Sequence, residues 1–218
     1  MTKKSKNNPL LSSGFLLRHN DKKYYTTVGI TLGVIALIII IIGLFTPNTA
    51  TVKLPLEPER ALWPAVVDQN GSTTSRKIFV NETDGKNTSL MLFDPWSFTH
   101  VTHGVLFFLI LFILNIIAKK LFNFHISLLT MFIITLTIEL LWEYIENSTH
   151  VINKYRSYSQ YKNYSGDSIV NSLGDIFCCL LGFLIASVSP ATAITYTAVS
   201  ETLLWPNGFI VAFIDIFK

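Results

Sequence analysis

The chain has 218 residues, 50% of them hydrophobic, with a mean hydropathy of +0.45 and a formal net charge of only +3. Charged residues make up 14%, about half the share of a soluble domain, which argues against a large water-soluble core. The small positive balance comes mostly from the N-terminus. Neither a Gly-rich phosphate loop nor a basic–aromatic stripe is present, so nucleic acid is not an expected partner.

Residues 1–23 are polar and basic, with Lys3, Lys4, Lys6, Arg18, Lys22 and Lys23 against Asp21. They precede an apolar run, Tyr24–Phe45, long enough to cross a hydrocarbon core of about 30 Å. The run is too long for a signal-peptide core and no small-x-small cleavage site follows it directly, so a retained first helix is expected. Its basic flank predicts a cytoplasmic N-terminus. Residues 46–99 then form an extracytoplasmic segment rich in Pro, Asn, Ser and Thr. Short apolar runs there, KIFV (77–80) and LMLF (90–93), are candidates for strands or interfacial contacts in a small cap.

The remainder, 100–218, reads as the membrane bundle. His100–Ala118 is the second span, closed by Lys119 and Lys120 on the side the positive-inside rule requires. Phe124–Ser148 is the third span, Thr149–Gly166 a Tyr-rich outer loop and Asp167–Val188 the fourth span. Pro190 marks an inner turn, and Thr192–Phe217 is a fifth segment interrupted by WPNG at Trp205–Gly208, where proline should kink or break the helix. The expected fold is therefore all-α: a polytopic transmembrane helix bundle of about five spans, with a small extracytoplasmic segment between the first and second. Cys178 and Cys179 are adjacent in an apolar run and lack metal-ligand spacing, so they read as small core or lipid-facing residues. Five sequons, at Asn70, Asn81, Asn87, Asn147 and Asn163, fall on the expected outer side, a weak signal for glycosylation.

Polar residues set into membrane segments are costly and mark candidate sites. His100 and His103 share one helix face, Glu139, Glu143 and Glu146 a second, and Asp167, Asn171 and Asp175 a third. Helical rise puts His100, Glu146 and Asp167 at the outer mouth. Glu143 and Asn171 fall in a middle layer near His103. Glu139 and Asp175 form a floor roughly 10–12 Å below the mouth. Glu201 is a further contributor from the last segment. At the mouth, plain solvation is the competing account. Deeper down, an unpaired carboxylate must be protonated, paired or metal-bound. Two imidazoles with carboxylates suit Zn, Mn or Fe by ligand type. The cofactor stays undetermined, with a divalent metal as the candidate, because no ExxH or HExxH pairing is present.

The block FDPWSFTHVTHG (Phe93–Gly104) resembles the DPYSFTHxxHG block of an uncharacterised bacterial membrane family, domain of unknown function 2585. WEYIENSTHVINKYR (Trp142–Arg156) is similar to its WExxENSxxxIxxYR, and SGDSIVNSLGD (Ser165–Asp175) to its GDSxxNSxxD. The order Glu, Arg, Asp, Asn, Gly also resembles the looser pattern of VanZ-like membrane proteins. The resemblance implies a bacterial membrane fold and transfers attention to Asp94, His100, His103, Glu143, Glu146, Asn147, Arg156, Asp167, Asn171 and Asp175. It supplies no activity. Residues 68–90 look longer than the family's outer segment, and the C-terminal WPNGFIVAFIDIF matches poorly.

Two functions follow as expectations. The first is an enzyme-like site at the outer leaflet of a bacterial inner (plasma) membrane, acting on an envelope lipid or polyprenyl headgroup. Glu143, Glu139, His103 and Asp167 would be its catalytic groups, and His100, Glu146, Asn147, Arg156, Asn171 and Asp175 its binding groups, with Arg156 as anion clamp. The second is a non-catalytic protein that binds lipid or a membrane partner, its polar network holding the bundle together. An organelle membrane of bacterial ancestry, and the oligomeric state, stay open.

Overall fold

The computed structural model describes residues 22–68, 70–82, 86–157 and 162–203. Six helices, α1 (Lys22–Phe45), α2 (Ser97–Phe122), α3 (Leu128–Glu146), α4 (Thr149–Arg156), α5 (Ile169–Val188) and α6 (Pro190–Leu203), carry the fold. Two short strands, β1 (Thr51–Lys53) and β2 (Glu59–Ala61), lie between α1 and α2. α1, α2, α3 and α5 are each long and apolar enough to cross a membrane. The protein is an all-α polytopic bundle.

Local sequence explains the helix ends. Ser127, Ser148 and Ser168 each sit in extended backbone, and their hydroxyls accept the N–H of Thr130, Val151 and Asn171. α2 ends on Asn123 in the left-handed conformation, whose N–H bonds the Ala118 carbonyl. Lys119 and Lys120 occupy its last turn, where cations complement the helix dipole.

α2 and α5 form the spine. A Cβ on Gly104 would collide with the Cys179 carbonyl and the Phe183 amide of α5. A Cβ on Gly182 would collide with the Val101 carbonyl of α2. Reciprocal glycines thus bring the two backbones together, the usual device where apolar lipid gives helices no hydrophobic reason to associate. α1 and α3 pack on this pair. Tyr24 meets Phe132 edge-on at 6.0 Å and shares a 3.1 Å hydrogen bond with Ser187. The opposite side of α1 exposes Ile30, Leu37, Ile41 and Leu44.

The segment between α1 and α2 forms a cap. β1 and β2 pair antiparallel, Thr51 opposite Ala61. The KIFV and LMLF runs meet through a parallel bridge between Phe79 and Phe93. Val66, Val80 and Met91 make a small apolar centre, and Trp63 and Leu92 join Ile42 of α1 and Val170 of α5. Arg76 bonds the carbonyls of Gly43 and Thr46 at 2.9 and 2.8 Å, satisfying acceptors left over at the end of α1.

Several boundaries differ from expectation. The second helix starts at Ser97, so His100 lies inside it rather than at its mouth. The third starts at Leu128, because Asn115 of α2 accepts the Ile126 N–H at 2.8 Å and holds a turn there. The expected outer loop is helical as α4 over its first half, capped by Ser148. Asn87 and Asn147 are 3% and 0% exposed, which leaves no room for a glycan at either. The fifth segment is described as α6, ending at Leu203. The WPNG interruption, the basic run before Lys22 and the sequences 204–218 lie outside the described residues.

Replacing Gly104 or Gly182 by Val forces the spine apart and is expected to cost about 3 kcal/mol or more. Gly33→Ala on α1, where nothing lies within 4 Å, should stay within about 0.5 kcal/mol. Unfolding of the detergent-purified protein by a denaturing surfactant measures the difference, and equal curves would refute the spine.

Candidate functional site

α2 and α3 bring two histidines against carboxylates inside the bundle. His100 Nδ1 lies 2.6 Å from Glu139 Oε1 and 3.4 Å from Glu143 Oε1. Its Nε2 is 3.9 Å from Asp175 Oδ2 on α5. His103 Nδ1 is 3.5 Å from Glu139 Oε2, and the two imidazole centres are 4.7 Å apart. Glu139 therefore addresses one histidine with each oxygen. The Glu139 side chain is fully buried, and those of Glu143 and Asp175 nearly so, at 5% and 6% exposed. Among the described residues, Glu139 Oε2, both oxygens of Glu143 and Asp175 Oδ1 have no hydrogen-bond partner. Native interiors leave few such groups, and each needs a physical reason. Trp142 places its ring edge-on to His103 at 6.3 Å, so it walls this cluster rather than merely sitting in an interfacial belt.

A second polar group lies between α5, the end of α3 and the cap, and it is hydrogen-bonded at nearly every atom, Glu57 Oε1 being the exception among the described residues. Arg60 of β2 is 5% exposed. Its guanidinium donates to the carbonyls of Asp167 and Ser168 at 2.7 and 3.1 Å, to Ser172 Oγ and to Glu57 at 3.2 Å. Asn147 donates to Asp167 Oδ2 at 2.8 Å and accepts the Asp167 N–H at 2.7 Å. The Tyr164 hydroxyl donates to the same carboxylate oxygen at 3.2 Å. Asn171 donates to the Met91 carbonyl at 2.8 Å. The first amides of α5 bond the cap directly, Ser168 to Ser89 O and Val170 to Leu62 O. Donors that a helix start leaves open are thereby used to dock the cap.

Asp94 holds the turn that precedes α2. It is 1% exposed and accepts the amides of Ser89 at 2.7 Å and Trp96 at 2.8 Å. Burial pushes its carboxyl up from the ordinary 3.8 to about 6, with Asp167 adding to the rise and the amide bonds opposing it.

A family model for a protein of unknown function, DUF2585, matches residues 70–207. The chain belongs to this family. Relatives named UPF0314 protein are 32% identical in Paracoccus denitrificans, over 61% of this chain and 66% of the relative. The Brucella anthropi protein is 38% identical over 44% and 45%, and that of Novosphingobium aromaticivorans 34% over 49% and 52%. The chain thus spans about half to two thirds of the length of these relatives. No solved structure matches. The family-matched segment contains every residue of the histidine–carboxylate cluster.

The expected layers are rearranged. His100, expected at the mouth beside Glu146, sits with the expected floor residues Glu139 and Asp175. The cause is the earlier start of α2 and the close α2–α5 contact. Asn171, expected beside Glu143, instead holds the cap. Asp167 and Asn147 bond each other in the satisfied group. His100 and Asp167 are buried, at 6% and 7% exposed, so solvation does not account for them, and Glu146 is half-buried. Arg156, expected as an anion clamp, lies exposed with its Nε bonded to the Tyr164 carbonyl. Among the described residues, the buried arginine is Arg60, which sequence reasoning passed over. Its ERA strand beside Glu57 had no helical spacing to mark it.

Two outcomes follow. Arg60→Leu leaves Glu57 without its cation and should cost about 3–5 kcal/mol, whereas Arg156→Ala should cost at most about 1 kcal/mol. Surfactant-induced unfolding of both variants checks this. For Asp94, a raised folded value means the folded state binds the extra proton, so its contribution to stability falls as pH rises from about 4 to about 6. Asp94→Asn should remove that fall, and melting curves of wild type and variant across this range measure it.

Proposed function

We propose that the chain is a bacterial inner-membrane protein, N-terminus cytoplasmic, whose buried histidine–carboxylate cluster performs acid–base chemistry on the headgroup of an envelope lipid or polyprenyl carrier. The observation carrying this reading is Glu143, whose two carboxylate oxygens are buried without a hydrogen-bond partner, with Oε1 3.4 Å from His100 Nδ1. A carboxylate kept in apolar surroundings without a hydrogen bond is costly unless it has something to do when a ligand arrives. Glu143 is the proton-transfer group in this reading. Glu139 fixes the orientation of both imidazoles, and Asp175 completes the wall opposite His100. The basic run before α1 and the lysines closing α2 support the orientation, and the bacterial relatives support the setting.

The non-catalytic reading has an observation of its own, since Arg60, Asn147 and Asp167 are bonded to one another's neighbours and to main-chain carbonyls, with Glu57 Oε1 the one buried acceptor of that group left unpartnered among the described residues. That group serves the fold. Asp167, Asn147 and Asn171 belong with it, and the chemical role falls to Glu139, Glu143, His100, His103 and Asp175.

A strain of Paracoccus denitrificans lacking its own relative, complemented with this chain, tests the proposal. Glu143→Gln should slow turnover of one headgroup species by about 100-fold or more, and that species should accumulate in lipid mass spectra while the folded variant keeps its abundance. An envelope lipid profile identical in the deletion, wild-type and Glu143→Gln strains would reject lipid chemistry. Loss of the folded protein alone would favour the structural role.

A further inference from the structure

We infer that His100, His103 and Glu139 form a binding site for a divalent transition-metal cation, reached by Glu143 as the neighbouring base. The inference rests on the acid–base reading for the role of Glu143, and it assigns what the two histidines do there. Each of the three side chains offers one donor atom, and these atoms lie within 4.8 Å of one another. The separation between His103 Nδ1 and Glu139 Oε2 is 3.5 Å. Donors at about 2.1 Å from a tetrahedral ion stand about 3.4 Å apart, so the donors need little movement to close on one. A 2.6 Å contact between His100 Nδ1 and Glu139 Oε1 would lose its proton and open slightly, as metal binding requires.

Charge supplies the independent observation. Among the described residues, the ion-pair partners of Glu139, Glu143 and Asp175 are histidines alone. The buried guanidinium of Arg60 spends its donors on Glu57, Ser172 and two carbonyls. Glu139, Glu143 and Asp175, which lie against the histidines, carry buried acceptors without a hydrogen bond. A cation on the two imidazoles and Glu139 would supply the missing positive charge, and a water on it would fall within reach of Glu143. Two imidazoles and a carboxylate suit Zn²⁺, Mn²⁺ or Fe²⁺ over Ca²⁺ or Mg²⁺, which prefer all-oxygen shells. Helices α2 and α3 supply all three donors, with His100 and His103 one turn apart on a single face.

Cobalt(II) titration of the tag-free, full-length protein in detergent, after stripping with a chelator, reads the site directly through its visible absorption. Wild type should bind about one equivalent with a four- or five-coordinate spectrum. Zn²⁺ should displace it. His103→Gln and Glu139→Gln should each weaken binding by at least about tenfold. His125→Gln and His150→Gln, outside the cluster, should leave it unchanged. Glu143→Gln should retain the metal while losing lipid turnover, which separates this inference from the acid–base reading. Helical circular dichroism and melting identify variants that fail to fold, and Glu139→Asp then replaces Glu139→Gln, with a shifted cobalt spectrum expected. Absence of stoichiometric cobalt in wild type, or a spectrum that survives both ligand variants in folded protein, overturns the metal site. Lipid turnover without metal would sustain the acid–base reading and reject this one.

Discussion

Backbone contact between α2 and α5 is the constraint on which the rest depends. Gly104 and Gly182 let the two helices touch main chain to main chain. At that separation His100 on α2 comes within 3.9 Å of Asp175 on α5, and α3 closes the third side with Glu139 and Glu143. A wider crossing would leave room for water beside each carboxylate and turn a cluster into separate solvated groups. The same approach aligns the start of α5 under the cap, where Leu62, Ser89, Leu90 and Met91 offer carbonyls to its first turn. Helix packing, cap docking and cluster geometry therefore share one cause.

The polar interior divides by how its atoms are satisfied. Around Arg60, Asn147 and Asp167 the donors and acceptors are matched except at Glu57 Oε1, and they tie a cap to a helix start. Around His100, Glu139, Glu143 and Asp175 acceptors exceed donors. These two environments lie within one bundle, and their residues alternate along the same stretch of chain. Residue type alone does not separate them, since each holds carboxylates at helical spacing. Partner geometry does.

Much of the fold was legible. Apolar runs of spanning length gave the four long helices. The histidine pair and the Glu face were legible from spacing of three and four. What spacing lacked was relative register. Depth counted from an assumed mouth put His100 too high, at the level of Glu146 rather than of Glu139 and Asp175, because the helix begins at Ser97 and α2 packs closely on α5 at Gly104 and Gly182. Asn171 and Arg156 were misplaced for related reasons. One faces the cap rather than the cluster, and the other sits at the end of a short, unforeseen helix. Arg60 was invisible because three of its four partners, Asp167, Ser168 and Ser172, lie more than a hundred residues away.

An energetic comparison bears on why the unsatisfied half persists. A buried ion network can often be replaced by well-packed apolar residues at no cost to stability. A network kept only for packing would thus be expected to satisfy most of its own atoms, as the Arg60 group does with the single exception of Glu57 Oε1. The cluster around Glu139 instead carries buried acceptors that the protein itself leaves unmatched, at a depth where water competes poorly. Such an arrangement is stable enough to exist only because α2, α3 and α5 are held by apolar contacts elsewhere: Tyr24, Phe108, Phe132 and Phe183 form the aromatic heart of the bundle. The core holds the helices in place, and the cluster sits on that frame with free acceptor capacity directed at whatever positive charge or transferable proton enters it.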